Sequence, residues 1–310
     1  MNLAPIVLFV YNRPWHTKQT VEALQKNELA KESELFIYCD EAKNEDAGKS
    51  VDEVREYIDK VDGFKKVTII KREKNWGLAD SIIDGVTKIV NEYGKIIVLE
   101  DDMVTSPYFL KFMNEALEFY KDEEKVWHIS GWNYPIDTDG LDDVFLWRLM
   151  NCWGWATWTD RWNKTDWKVT DFQILLQDKK KQKKYNYSGD DKFAMLSDQM
   201  EGFIDSWAIR WDYCHFQNQA VCVYPIHSLV NNIGHDGSGV HSSKVNFGAL
   251  VNDLSQSKGE LGFSPYMGIN EKMIERFRHV YRKGFFYQLK QIIKKLIFYN
   301  TWRARKCQEN

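Results

Sequence analysis

The sequence predicts an α/β protein organised on a mostly parallel sheet, and two observations carry that expectation. Apolar runs of strand length alternate with amphipathic runs of helical length four times in the first third of the chain, the pattern of βα units with helices on both faces of a sheet. Several of these runs also end in polar side chains: Asn12-Arg13, Asp40-Glu41 and Glu100-Asp101-Asp102. In open α/β sheets ligands sit outside the carboxyl ends of the strands, so three strands deliver polar groups to one edge.

PIVLFVY (5–11) is an apolar run stopped by Asn12-Arg13-Pro14 and reads as a buried strand followed by a turn. A helix is expected from about Trp15 to Gln25, a second strand in ELFIYCD (34–40) and a second helix over Ser50–Val61. KVTIIKR (66–72) gives the third strand. Leu78, Ile82, Ile83, Val86, Ile89 and Val90 mark the apolar face of a helix over 77–92. KIIVLEDD (95–102) closes the series, followed by a helix at about 106–121 and a strand in VWHISGWN (126–133).

The pattern then loosens. Residues 147–167 hold six Trp, DKKKQKKYNYSGDD (178–191) reads as a loop or exposed helix, and AVCVYP (220–225) as a strand. NNIGHDGSGVHSS (231–243) is Gly- and Ser-rich and reads as a mobile loop. A nucleotide-binding half over 1–133, a second half over 134–270 and a basic helical tail over 271–310 are the expected divisions.

Composition narrows the classes. With 310 residues and 44% apolar content the chain can bury a large core. Residues 276–306 hold ten Lys/Arg and no Asp/Glu, which leaves residues 1–275 at a formal −12. An acidic body gives no nucleic-acid signal. Five Cys without CxxC or metal spacing argue against a disulfide framework. The N-terminus lacks the features of a signal peptide and no run approaches eighteen apolar residues. A cytoplasmic protein is expected, and one of two readings of its tail would place it at the inner face of the plasma membrane. In the tail Phe285, Leu289, Ile292, Ile293, Leu296 and Tyr299 form a helical stripe, with Lys290, Lys294 and Lys295 beside it. Two readings stand equally: a helix lying on an anionic membrane, or one packed on the body.

The sharpest local signal is Ile96-Ile97-Val98-Leu99 running into Glu100-Asp101-Asp102. Three adjacent acids repel one another, and at a strand end they suit a hard divalent cation, Mn²⁺ or Mg²⁺, that also grips phosphate oxygens. The bland reading is a solvated strand-to-helix junction. No GxGxxG or GxxxxGK[ST] follows the first strand, so phosphates would need a metal to neutralise them.

These residues resemble the GT-A glycosyltransferases, and more closely N-acetylglucosaminyltransferase I and related bacterial surface-polysaccharide transferases. FVYNR (9–13) is similar to the family's first strand with its base-contacting Arg, and Glu100-Asp101-Asp102 to its "EDD" form of the DxD motif. The resemblance implies Asp102 as metal ligand, Glu100 and Asp101 on the ribose and sugar, and Arg13 and Asp40 on the nucleoside. Asn75 stands near a family His at the donor site. GHDGSGVHSS (234–243) resembles the loop that orders over the donor diphosphate, bringing Val240 to the donor and His241 to the metal. Asp205, in DSWAIRW, falls at the place of the catalytic base, with Asp190 and Asp191 as rivals and an ordinary helix N-cap as the bland alternative. WGWATWTDRW resembles the acceptor side. Trp132, Trp153, Trp155 and Trp207 are the candidates to stack on a sugar, against the reading that they are core. Arg210 is either a partner of Asp205 or a reader of an acceptor phosphate.

The implied activity is inverting transfer of a sugar from a nucleotide diphosphate, UDP foremost, to a glycan that could be lipid-linked. A sugar nucleotidyltransferase would want a Gly-rich basic first loop, which NRPWHTK (12–18) lacks. An inactive carbohydrate-binding protein would keep the Trp residues without needing Asp102 and Asp205 together.

Overall fold

A computed structural model describes residues 2–238, 251–265 and 268–281. In chain order its strands are β1 (Ile6–Val10), β2 (Glu34–Cys39), β3 (Lys66–Lys71), β4 (Lys95–Glu100), β5 (Met103–Thr105), β6 (Val126–Ser130), β7 (Val144–Trp147), β8 (Trp155–Trp158), β9 (Val221–Pro225) and β10 (Val230–Asn232). Its helices are α1 (Pro14–Gln25), α2 (Glu45–Ile58), α3 (Leu78–Tyr93), α4 (Phe109–Phe119), α5 (Thr159–Trp162), α6 (Phe172–Gln177), α7 (Lys179–Tyr185), α8 (Lys192–Met200), α9 (Trp207–Gln217) and α10 (Glu271–Tyr281).

Eight strands form one sheet in the order β3-β2-β1-β4-β8-β6-β9-β7, and β5 pairs with β10 in a second. Only β8 and β7 run against the other six strands of the large sheet. The expected mostly parallel α/β sheet is therefore present, and it takes strands from both expected halves of the chain.

Strand alternation feeds the two faces separately. Ile6, Leu8 and Val10 of β1 join a core with α1, α2 and α4, while Val7 and Phe9 join another with α3, α9 and α10. A buried strand with apolar residues on both faces is what a parallel sheet covered on both sides requires. A third cluster packs α6, α7 and α8 onto Ile209 and Tyr213 of α9.

Two helix starts differ from the sequence reading, both because a side chain decides them. Asn44 accepts from the Ala47 N–H, so α2 begins at Glu45 rather than at Ser50. Ser206, not Asp205, caps α9 by accepting from Ile209 N. At the other end of the chain, Met273 and Ile274 of α10 are buried, and Arg276 donates to the carbonyls of Asp137 and Asp139. The tail thus begins packed on the body, while its stripe from Phe285 onward lies outside the described residues. Among these, no helix is long and apolar enough to cross a membrane.

Candidate functional site

β1 runs beside β2 on one side and β4 on the other, so the strand order reverses between β1 and β4. The crevice outside the carboxyl ends at such a switch point is where open α/β sheets bind ligands. Arg13 leaves the end of β1 there and Glu100, Asp101 and Asp102 leave the end of β4.

The acids are not a solvated junction: Asp101 is 4% exposed and Asp102 8%. Arg13 Nη2 donates to Asp101 Oδ1 and, at 2.9 Å, to Asp102 Oδ2. Its guanidinium is thus placed on the acids, where it is their counter-charge. Burial disfavours its charge, but Asp101 and Asp102 more than offset that and raise its pKa. Glu100 is pushed well up by burial and then by the charges of Asp102 and Asp101. Burial also raises Asp101, against the pull of Arg13. Glu100 and Asp101 therefore hold a proton more readily than an ordinary carboxyl, and a bound cation would act in the opposite direction.

The remaining oxygen, Asp102 Oδ1, is buried with no hydrogen-bond partner. A buried carboxylate oxygen left open is costly, and it fits a metal ligand. Covering it is the segment after β10. The Ile233 N–H donates to the Asp102 carbonyl at 2.9 Å, and Gly234 follows so closely that a Cβ there would lie 2.0 Å from Asp102 Oδ2 and 2.8 Å from Arg13 Nη1. Only glycine lets the backbone pass. His235 comes next, its ring 5.2 Å from that of Trp153. Burial lowers its pKa against the opposing charges of Asp102 and Asp236, which keeps the imidazole neutral and able to ligate. Asp236 in turn holds His16 Nε2 at 3.1 Å.

Asp102 and His235 therefore fit a metal that shares its other positions with phosphate oxygens. Among the described residues no set of three His, Cys, Asp or Glu could hold one alone. His241 and Val240, expected in these roles, lie outside the described residues. His235 was missed although GHDG was singled out. Choosing between two His in one loop requires the pairing of β10 with β5, which carries Ile233 to Asp102.

The other expected donor residues organise loops at this edge. Asp40 accepts from the N–H groups of Trp76 and Gly77, at 2.9 Å each, and Gly77 has φ +76°, a glycine-favouring turn into α3. Asn75 Nδ2 donates to the Glu41 carbonyl at 2.6 Å. Asp40 and Asn75 thereby tie the end of β2 to the start of α3.

On the acceptor side the structure corrects several expectations. Trp155 and Trp207 stack at 5.2 Å inside the core with Trp162, so neither presents a face to a sugar. Trp132 is buried between Tyr134 and Trp153. Trp153 is half-buried, and of the four it is the one that reaches the Asp102–His235 corner. Arg210 points back on its own helix start: Nε donates to the Ser206 carbonyl at 3.1 Å, and Nη2 lies 3.4 Å from Asp205. It is the partner of Asp205.

Asp205 lies just before Ser206, the cap of α9. β8 runs antiparallel to β4 with Trp155 opposite Val98, near the acidic end, and Trp207 stacks on Trp155 just after Asp205. Its side chain is 65% exposed. Of its rivals, Asp190 pairs with Arg278 of α10 at 3.4 Å.

No family model matches this chain, and no curated protein matches it. Solved structures resemble parts of it. GalNAc-T7 with UDP, GalNAc and Mn²⁺ is similar over 73% of this chain and 43% of that one, at 12% identity and a TM-score of 0.44. A mannosyltransferase from Pyrobaculum calidifontis in complex with GDP-Man and Mn²⁺ is similar over 51% and 48%, at 11% identity and 0.33. TarS of S. aureus in complex with UDP is similar over 41% and 34%, at 17% identity and 0.30. The chain thus spans about a third of that TarS chain and under half of the other two. The structures it resembles are glycosyltransferases, at a level too low to carry an argument, so any activity must be read from the site itself.

Proposed function

We propose that this chain is a metal-dependent glycosyltransferase of GT-A fold. It moves a sugar from a nucleotide diphosphate, UDP foremost, to a glycan hydroxyl in the synthesis of a bacterial surface polysaccharide or glycoconjugate. The observation that carries this reading is Asp102 Oδ1, buried and without a partner at the strand-order switch point.

Asp102 and His235 would hold Mn²⁺ or Mg²⁺, which when bound stabilises the charge developing on a departing diphosphate. Arg13 holds the carboxylates of Asp101 and Asp102 side by side. The acceptor oxygen attacks the anomeric carbon as the bond from that carbon to the diphosphate oxygen breaks. Asp205 takes the hydroxyl proton, and one such displacement inverts the centre. Trp153, its ring beside that of His235, offers an aromatic face to the acceptor. The working place is the cytoplasmic face of the plasma membrane, on a lipid-linked acceptor.

The test is thermal stability with UDP, Mn²⁺, both and neither, for wild type and Asp102→Ala. A ligand at about 100 times its Kd adds roughly 2.7 kcal/mol. A rise that needs both additions and vanishes in Asp102→Ala is expected. No rise with UDP, GDP, CMP or dTDP, each with metal, would overturn the donor site.

A further inference from the structure

One side of α3 carries a groove that the site does not use. Its volume is about 510 Å³, within the range of small-molecule sites, and Trp76, Asp80, Ile83, Asp84, Thr87 and Lys88 line it. From Asp80 to Lys88 the spacing is that of a single helix face. None of Asp102, His235 and Asp205 is among the lining residues.

The aromatic wall of this groove is held still. The Trp76 N–H donates to Asp40 Oδ1 at 2.9 Å, and the Arg72 guanidinium lies over the indole, 4.0 Å from its centroid. Arg72 is fixed in turn, 2.5 Å from Asp84 Oδ2 and over the Tyr38 ring. Trp76 is nevertheless 36% exposed. A ring already immobilised at its backbone and over its face loses little freedom when a ligand covers the rest.

The charges along the groove are unequal. Asp84 is matched by Arg72 and by Lys88, the latter at 3.0 Å. Asp80 is exposed, with no hydrogen bond or ion pair among the described residues. Its charge and that of Asp205 both act on the Arg210 guanidinium, which links the groove to the proposed base. The indole and Ile83 suit the C–H side of a pyranose, and a free carboxylate accepts from its hydroxyls. An anionic ligand would meet Asp80 uncompensated. An apolar one would desolvate that carboxylate without giving it a donor.

We propose that this groove binds a neutral saccharide unit of the acceptor, its ring on Trp76 and its hydroxyls on Asp80. The unit held there is not the one that reacts, since the groove lacks the acids and the base. The proposal rests on the reading of the site as that of a glycosyltransferase.

The test is saturation-transfer NMR on the full chain with the methyl glycosides of glucose, galactose, mannose, N-acetylglucosamine, N-acetylgalactosamine and glucuronic acid. At least one neutral glycoside should bind, and the glucuronide should not. Trp76→Ala should weaken that binding at least about ten-fold, and Trp76→Phe should retain most of it. Asp80→Ala, at an exposed position that leaves the Arg72 contacts in place, should weaken it about ten-fold. Three results would overturn the groove: no binding of any neutral glycoside; binding that neither Trp76→Ala nor Asp80→Ala changes; or equal binding of the glucuronide. Stabilisation by UDP with Mn²⁺, read on the same samples, separates the two readings. A glycoside held at Trp76 without that stabilisation would keep the groove and remove the transferase, and stabilisation without a bound glycoside would do the reverse.

Discussion

Arg13 Nη2 lies 2.9 Å from Asp102 Oδ2 and leaves Asp102 Oδ1 buried without a partner. One oxygen of the carboxylate is held by a fixed cation and the other is open to a second. Removing the fixed cation strands two buried acids, so Arg13→Met should cost the metal-free protein about 3–5 kcal/mol. Saturating Mn²⁺ should recover part of that loss, and urea unfolding with and without Mn²⁺ measures both. Equal losses in the two conditions would detach Arg13 from the metal site.

His235 reaches the acids only because β10 pairs with β5. If it is the second ligand, His235→Ala should weaken Mn²⁺ binding in the presence of UDP by at least ten- to a hundred-fold. Manganese paramagnetic resonance counts the free ion directly. An unchanged Kd would remove His235 from the site and return attention to His241.

Asp205→Asn separates chemistry from binding. Turnover should fall by about 10²–10⁴, while the stabilisation by UDP with Mn²⁺ stays at the wild-type value. Loss of that stabilisation as well would mean that Asp205 shapes the donor site instead of serving the acceptor.

Acid should destabilise the fold through His128. Burial, opposed in part by its hydrogen bond to the Asn151 carbonyl, lowers its pKa from 6.5 to about 3. Between those values the unfolded chain binds a proton that the native protein does not. Stability is therefore complete above pH 6.5 and falls toward pH 3, by up to about 1.4 kcal/mol per pH unit. His215, also lowered by burial, adds in the same direction. His128→Phe should be less stable at pH 7 but show a shallower decline between pH 6.5 and 5 in denaturant titrations. The same slope in both proteins would assign the acid sensitivity elsewhere.

What the sequence made legible follows from how local each signal is. β1, β2 and β4 stand out because strands buried on both faces are apolar runs, and the acids stand out because nothing in packing asks for them. β7 and β8 did not, since each is only four residues long and β8 lies inside a Trp-rich stretch with no break to mark its ends. The same burial removed three of the four Trp expected at the acceptor, as a Trp-rich segment reads alike whether it lines a cleft or fills a core. Asp102 was readable from its neighbours in the chain, whereas His235 depended on a pairing over a hundred residues long.

That pairing works as a ruler. Val230, Asn231 and Asn232 lie opposite Thr105, Val104 and Met103, and the next rung joins Ile233 to Asp102. Counting from either strand therefore gives the same distance to the acid, and Gly234 arrives over the carboxylate with no slack. Length changes before Val230 leave that count intact, but one residue added between Val230 and Gly234 would set a side chain where the glycine must pass. The length from Val230 to Gly234 should therefore stay fixed wherever this acid is kept.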